Sequence, residues 1–258
     1  MPTVEHISYG KVSEEKNEDF LGYNDTTFVV TDGASDKSGE LYDGKTGGYI
    51  ASRLTVEKCL ASSATGEDLA RELNNALADL YQKINLRALE NSFYRFACSV
   101  VCARLQGAEL VVTQVGDVAF RVNGEKVYTN YILLDELSSS LRAHYIELTG
   151  DVAGSRDFIM PLLKEQHRYP NTTHSPLSYG DIDGTPTPPQ FVKSFSFPLQ
   201  DVKTLEIFTD GYFDLPPEVS LEAWEKVHQQ VEAEDPYKTK EYKSTSPKDD
   251  RTVMVVRW

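Results

Sequence analysis

Two apolar segments of the chain each end in the triplet Thr-Asp-Gly, with a second aspartate four residues after the first. They read FVVTDGASD at 28–36 and EIFTDGYFD at 206–214. Short apolar runs rich in β-branched and aromatic residues, closed by Asp-Gly, predict buried strands that end in a turn. A single Asp-Gly after a strand is ordinary turn chemistry. The two copies gain meaning only if other strand ends are acidic too.

Three further acidic sites stand beside apolar segments. Asp117 follows LVVTQVG, the pair Glu18-Asp19 precedes FLGY, and the pair Asp249-Asp250 lies just before TVMVV. A carboxylate next to the core costs free energy unless it is paired or binds a cation. If these strand ends converge, lysine side chains could pair with them. Hard divalent cations such as Mg²⁺ or Mn²⁺, which prefer oxygen ligands, could also neutralise them.

The order of elements favours mainly antiparallel sheets with helices packed outside them. Strands are predicted near the start, two helices over 46–63 and 66–90, strands over 96–129, helical segments over 136–168 broken near Gly150, and strands around a helix over 221–234. This is not the strand–helix alternation of a parallel sheet. Within 96–129, the Asn123-Gly124 pair predicts a hairpin. The buried face predicted for the first helix is Tyr49, Ile50, Leu54, Val56 and Leu60.

Composition excludes some classes of partner. The formal net charge is −14, from 40 acidic and 26 basic residues. Proteins that bind nucleic acid or anionic membranes normally carry a basic surface, so neither partner is expected. The three cysteines form no CxxC motif, and no signal peptide or membrane span is visible. We therefore expect a cytoplasmic, monomeric protein with free thiols, and a single domain over 1–258, since no linker divides the sequence.

The acidic motifs, taken in order, resemble those of the metal-dependent Ser/Thr protein phosphatases of type 2C. They are KNEDF (16–20), VVTDGASD (29–36) with TGGYIAS (46–52), QVGDVAF (114–120), FTDGYFD (208–214) and KDDRTVMVV (248–256). Each motif is weak alone, but the series covers nearly the whole chain. The resemblance implies an α+β fold, a four-layer αββα sandwich of two antiparallel β-sheets flanked by helices.

The same resemblance implies a centre of two Mg²⁺ or Mn²⁺ ions, with a third, weaker ion in some members. Asp32 would bridge both ions and Gly33 would offer its carbonyl oxygen. Asp210 and Asp249 would bind one ion, and Asp19 with Glu18 the other, directly or through water. The third ion would be held by Asp117 and Asp210. Asp214 and Asp250 would support the centre, although the choice between Asp249 and Asp250 as ligand stays open at this point.

The implied activity is hydrolysis of phosphoserine and phosphothreonine in proteins by a water activated between two metal ions. The chain departs from the family at the arginine that commonly precedes the Asn-Glu-Asp motif, and Lys11 or Lys16 would have to bind phosphate instead. A histidine found in some members is Ala34 here. Two alternatives follow from the missing arginine and the open substrate question: an inactive binding module, or a phosphatase for small phosphate esters.

Two other acidic sequences are assigned no ligand role. Asp36 and Asp43 lie in a long polar loop, where solvated side chains are the ordinary case. The sequence GDIDG at 180–184 lacks the full spacing of a calcium-binding loop.

Overall fold

The computed structural model describes residues 2–34 and 37–258 of the chain. Its strands are β1 Thr3–Tyr9, β2 Phe20–Tyr23, β3 Thr27–Gly33, β4 Cys98–Gln106, β5 Glu109–Val115, β6 Ala119–Val122, β7 Val127–Tyr128, β8 Lys193–Pro198, β9 Thr204–Phe208 and β10 Arg251–Arg257. Its helices are α1 Gly47–Ala61, α2 Gly66–Ile84, α3 Arg87–Glu90, α4 Leu133–Thr149, α5 Ser155–Glu165 and α6 Leu221–Glu234.

The strands form two antiparallel sheets of five strands each. Sheet I has the order β1-β10-β9-β6-β7, and sheet II has the order β2-β3-β4-β5-β8. In sheet II, Asp32 pairs with Ser99 across β3 and β4. In sheet I, Phe208 at the end of β9 pairs with both Val253 and Ala119. The strand ends that carry the acidic motifs are therefore fixed by neighbours on both sides.

The predicted α+β sandwich is confirmed, with three apolar clusters separating its four layers. The sheets pack face to face over side chains that include Phe28, Val101, Phe120 and Ile207. Helices α1 and α2 cover the outer face of sheet II through a second cluster. Helix α6 covers sheet I, anchored by the fully buried Trp224. Burial of these apolar faces supplies the main driving force for this arrangement.

The hairpin at Asn123-Gly124 is also confirmed. Strands β6 and β7 pair antiparallel on either side of it, and both turn residues have positive φ angles, 56° and 68°. The Glu125 N–H donates to the Val122 carbonyl oxygen at 3.1 Å and closes a turn with Asn123 and Gly124 at its centre, where a positive φ angle costs little.

Two details of the predicted helices were wrong. Val56 is buried as predicted, but the rest of the buried face of α1 consists of small residues, including Ala51, Ser52 and Cys59, because α1 lies close against β3. The larger Ile50, Leu54 and Leu60 flank this contact and are only partly buried. The second helix was predicted to continue to residue 90, but it ends at Ile84. The chain leaves the helix at Asn85, whose side chain donates a hydrogen bond to the Tyr94 carbonyl oxygen at 2.7 Å.

The three cysteines are buried and unpaired. Among the described residues, no helix has the length and apolar character needed to cross a membrane.

Candidate metal centre

The acidic strand ends of both sheets meet at one edge of the sandwich. Asp32, Asp117, Asp210 and Asp249 line the same cavity, which has a volume of about 240 Å³. Asp32 comes from sheet II, whereas Asp210 and Asp249 come from the end of β9 and the start of β10 in sheet I. The convergence expected from the sequence is therefore present in the fold.

The carboxyl groups of Asp32 and Asp210 lie within hydrogen-bonding distance of each other across this edge. Burial and the charges of Asp19 and Asp210 raise the pKa of Asp32 well above the value of a free aspartate. Loss of surrounding water and the charge of Asp249 likewise raise the pKa of Asp210. Two carboxylates this close cannot both be ionised without a counter-charge, so the pair retains a proton in the absence of a cation.

Asp19 is the most deeply buried acid of the group, with 2% of its surface exposed. Its Oδ2 accepts a hydrogen bond from the Thr209 hydroxyl at 2.8 Å, but its Oδ1 is buried without a partner. Burial, opposed by that hydrogen bond and reinforced by the charge of Asp250, raises the pKa of Asp19 to about 8. An orphaned buried carboxylate oxygen marks a position where a cation or water is needed.

Glu18 is buried next to Asp19 and faces the first turn of α1. Its carboxylate accepts a hydrogen bond from the hydroxyl of Thr46, the residue that caps α1. Asp117 lies on the other side of the cavity, where its Oδ1 accepts a hydrogen bond from the Ser99 hydroxyl at 2.6 Å. Burial raises the pKa of Asp117 against the effect of that hydrogen bond.

Asp249 and Asp250 have different environments. Asp250 is buried and accepts the backbone N–H groups of Lys11 at 2.6 Å and of Glu18 at 3.1 Å. Asp249 is more exposed, at 29% of its side chain, and lines the cavity. Asp250 is thus committed to holding the 11–18 loop, while Asp249 keeps access to the cavity.

Lys11 lies against the acidic side chains. Its ammonium is 3.3 Å from both Asp249 and Asp250 and 3.7 Å from Glu18. Partial burial lowers the pKa of Lys11, but the three carboxylates outweigh this effect and raise it above the ordinary lysine value. Lys16, the other lysine considered from the sequence, is exposed and does not line the cavity.

Asp214, Asp43 and Asp183 do not line this cavity, although Asp214 lines a neighbouring cavity together with Asp117, Asp210 and Asp249. The hydrogen bonds of Asp214 go to the Leu215 N–H and the Tyr242 hydroxyl. Asp43 is exposed in its loop, and Asp36 lies outside the described residues. In the GDIDG loop, Asp183 accepts hydrogen bonds from Asn171 and Thr185 and pairs with Arg95, so its oxygens are already engaged.

Gly33 allows the acidic segments to approach this closely. A Cβ atom at Gly33 would lie 2.6 Å from the Glu18 carbonyl oxygen and 2.7 Å from that of Gly48. Both obstacles are backbone atoms, which cannot move aside as a flexible side chain can. Only glycine therefore lets β3, α1 and the Glu18 segment meet at this point.

The chemistry of these residues fits a divalent cation, although the side chains are not pre-arranged around one. Among the described residues, no group of three or more His, Cys, Asp or Glu side chains is positioned to hold an ion as it stands. The donors are nonetheless all oxygen, which Mg²⁺ and Mn²⁺ prefer. The orphaned Asp19 oxygen and the raised aspartate pKa values show a deficit of positive charge. An ion would replace the proton shared by Asp32 and Asp210.

Several residues that line the cavity were missed from the sequence. They include Lys37, Arg156 and Gln166, which come from the loop after β3 and from the α5 region. Lys37 directly follows the VVTDGASD motif in a loop interpreted as solvated, and Arg156 and Gln166 belong to no motif, so the sequence carries no local signal that these side chains face the cavity.

Comparison with known proteins supports the assignment made from the motifs. The family model described as Protein phosphatase 2C matches residues 5–242. This range contains four of the five acidic sites and ends before Asp249. No curated protein sequence matches the chain.

Solved structures of bacterial phosphatases share the fold. Serine/threonine phosphatase Stp1 from Staphylococcus aureus is 17% identical, with a TM-score of 0.54 over 100% of this chain and 95% of that chain. The Mycobacterium tuberculosis phosphatase PstP/Ppp is 14% identical, with a TM-score of 0.51 over 99% and 98%. The catalytic domain of PstP in complex with two manganese ions is 14% identical, with a TM-score of 0.52 over 99% and 97%. Since the family model covers most of its length, the chain belongs to the protein phosphatase 2C family.

Proposed function

We propose that this protein hydrolyses phosphoserine and phosphothreonine in proteins, using two divalent ions held by its converging strand ends. The observation that carries the proposal is the presence of Asp32, Asp210 and Asp249 on one cavity. Family membership and the Ser/Thr phosphatases among the similar structures support the substrate class. The PstP structure with two manganese ions supports the choice of cofactor.

The proposed ligands are four aspartates that line the cavity, together with Glu18 and Asp19, which do not line it. The charges of both Asp19 and Asp210 act on Asp32, which would contact both ions, with the Gly33 carbonyl beside it. Asp210 and Asp249 would hold one ion, and Glu18 with Asp19 the other. Asp117, beside Asp210 on the same cavity, would bind a third ion together with it.

The ions, when bound, would polarise a water molecule and neutralise the phosphoryl oxygens. The chain's own part is positioning, which is the main requirement of phosphoryl transfer. Asp250 fixes the 11–18 loop through two backbone N–H groups, and Thr209 orients Asp19. The rigid β3 and β9 strands hold Asp32 and Asp210 at a fixed separation. The carboxylates would keep the reacting water oriented.

We further propose that the protein acts on cytoplasmic phosphoproteins. Three buried free thiols are typical of a reducing compartment. The acidic net charge of −14 argues against nucleic acid as substrate.

The test is Mn²⁺-dependent phosphate release from a panel of phosphoserine and phosphothreonine peptides, compared with small phosphate esters. We expect turnover of the peptides that EDTA abolishes and Mn²⁺ restores. Turnover of small phosphate esters alone would show that the substrate is a small phosphorylated molecule and not a phosphoprotein. Binding of Mn²⁺ without turnover of any substrate would indicate a binding module instead of an enzyme.

A further inference from the structure

The cavity at the acidic edge is lined by side chains of both charges. Besides carboxylates such as Asp32, Asp210 and Asp249, its lining includes the side chains of Lys37 and Arg156. The two cations belong to separate parts of the chain, the loop after β3 and the first turn of α5. The fold therefore brings two positive charges into the cavity proposed to hold the metal ions.

Arg156 is held in place without losing its charge to a carboxylate. One guanidinium nitrogen, Nη1, donates to the Thr245 carbonyl oxygen at 2.9 Å, and Arg156 forms no salt bridge with any described residue. A neutral carbonyl orients the guanidinium but does not neutralise it. Thr245 lies four residues before Asp249, so this bond also ties α5 to the segment that carries a proposed metal ligand.

Lys37 lies in the electrostatic field of Arg156. Burial and the positive charge of Arg156 lower the pKa of Lys37 to about 8. Two cations facing one partly buried cavity repel each other, because water screens them less there than at the surface. An anion bound beside both side chains would relieve this repulsion.

Lys11, considered from the sequence as the phosphate-binding residue, has a different environment. Its ammonium is already shared by Asp249 and Asp250, both at 3.3 Å. A phosphate at Lys11 would have to approach these carboxylates directly. Lys37 and Arg156 place two more positive charges on the same cavity, where the charges of Glu18 and Asp135 also act on Lys37.

We propose that Lys37 and Arg156 form the phosphate-binding pair of this cavity and take the place of the arginine that the 11–18 loop lacks. The inference rests on the proposed function for the identity of the substrate, a phosphate monoester on a peptide. The planar guanidinium can donate two parallel hydrogen bonds to phosphate oxygens, and the ammonium adds a point charge. The remaining phosphate oxygens would be available to the metal ions.

The experiment measures binding of inorganic phosphate to the Mn²⁺-loaded full chain by calorimetry, together with KM and kcat for a phosphothreonine peptide. We expect Arg156→Gln and Lys37→Gln each to weaken phosphate binding by about 10- to 100-fold, because each variant loses a charge-assisted hydrogen bond to the phosphate. KM should rise by a similar factor, with Mn²⁺ affinity within about twofold of wild type. The phosphate affinity of Arg156→Lys should lie between those of the wild type and Arg156→Gln, because lysine keeps the positive charge but lacks the planar guanidinium that donates two parallel hydrogen bonds.

The matched controls are Arg168→Gln, just beyond α5 in a surface pair with Glu165, and Lys58→Gln on the outer side of α1. Both remove one positive charge without touching the cavity, and neither should change phosphate affinity. If Arg156→Gln fails to fold, Lys37→Gln and Arg156→Lys still decide the matter. Unchanged phosphate affinity in these variants would show that Lys37 and Arg156 do not bind phosphate. An equal loss of affinity in the control variants would show the same, as would a wild-type protein that binds no phosphate.

These outcomes separate the pair from the proposed function. If the wild type binds phosphate but hydrolyses no substrate, and both variants bind phosphate more weakly, the phosphate-binding role of Lys37 and Arg156 is supported and the proposed enzymatic activity is refuted. If both variants hydrolyse substrate normally and bind phosphate with unchanged affinity, the enzymatic activity is supported and the phosphate-binding role of Lys37 and Arg156 is refuted.

Discussion

The carboxylate of Asp250 accepts the backbone N–H of Lys11 at 2.6 Å, although 239 positions separate the two residues in the chain. Its other oxygen accepts the N–H of Glu18 at 3.1 Å. One buried side chain thus closes the loop that carries Glu18 and Asp19 onto the strand that follows Asp249. These two hydrogen bonds hold the N-terminal ligands of the proposed metal centre next to its C-terminal ligand.

Asp249 and Asp250 should therefore respond differently to substitution. We expect Asp250→Ala to lower the free energy of unfolding by about 2–4 kcal/mol, because it leaves two backbone donors without their partner. Asp249→Ala should change stability by less than about 1 kcal/mol in the metal-free protein but weaken Mn²⁺ binding at least tenfold. Urea denaturation and calorimetry measure the two effects. Equal stability losses in both variants would show that the division of roles is wrong.

Lys11 should compete with metal ions for the carboxylates. Removing its charge in Lys11→Gln leaves Asp249 and Glu18 without their ammonium partner, so we expect Mn²⁺ affinity to rise several-fold. Lys16→Gln is the control, since Lys16 is exposed and outside the cavity. A loss of Mn²⁺ affinity in Lys11→Gln alone would mean that the lysine supports the centre instead of opposing it.

Strand β9, which ends two residues before Asp210, is anchored by a buried ion pair. Arg121 donates to both oxygens of Glu206, at 2.6 and 2.7 Å, and Trp224 adds a third hydrogen bond at 2.8 Å. We expect Glu206→Gln to lower the free energy of unfolding by about 3–5 kcal/mol, because it leaves the buried guanidinium of Arg121 without a compensating negative charge. Glu5→Gln, which breaks the exposed pair with Arg257, should cost less than about 1 kcal/mol. Similar midpoints of urea unfolding for the two variants would contradict this account.

Asp135 should make the metal-free protein less stable as pH rises. Burial and the charge of Asp117 raise the pKa of Asp135 to about 7, against a hydrogen bond from Gln166. The unfolded value is about 4, so between these two values the folded state binds more protons and loses stability with increasing pH.

Asp135→Asn cannot ionise, and its melting temperature in EDTA should fall less between pH 5 and pH 8 than that of the wild type. We expect the difference to be a few degrees. Asp157→Asn, at an exposed position of α5, should retain the full wild-type decrease. If Asp135→Asn also retained it, the carboxyl group would not be buried as described.

The sequence identified the strand ends because their signals are local. An apolar run followed by Asp-Gly, or preceded by paired acids, can be read without knowing the fold. The break of α2 at Asn85 could not be read this way, since it depends on a hydrogen bond to the Tyr94 carbonyl formed in the folded structure. The small-residue face of α1 was missed for a similar reason. Close packing against β3 selects small side chains there, whereas periodicity alone favours the larger ones.

Long-range pairings account for the rest of what the sequence did not reveal. Arg121 and Glu206 stand 85 positions apart and meet only because β6 and β9 are neighbours in sheet I. Lys37 and Arg156 reach one cavity from two separate segments, and neither side chain is itself part of a motif. The distinct roles of Asp249 and Asp250 likewise emerged only from the hydrogen bonds that occupy Asp250.

The most direct test is a comparison of the wild type with Asp32→Asn, measuring Mn²⁺ stoichiometry by calorimetry and Mn²⁺-dependent release of phosphate from a phosphothreonine peptide. The account predicts two Mn²⁺ ions per wild-type chain with measurable turnover. It predicts that Asp32→Asn, still folded by circular dichroism, loses tight binding of at least one ion and about 100-fold or more of its turnover, because Asp32 would contact both ions. Wild-type Mn²⁺ stoichiometry and wild-type turnover in Asp32→Asn would contradict it.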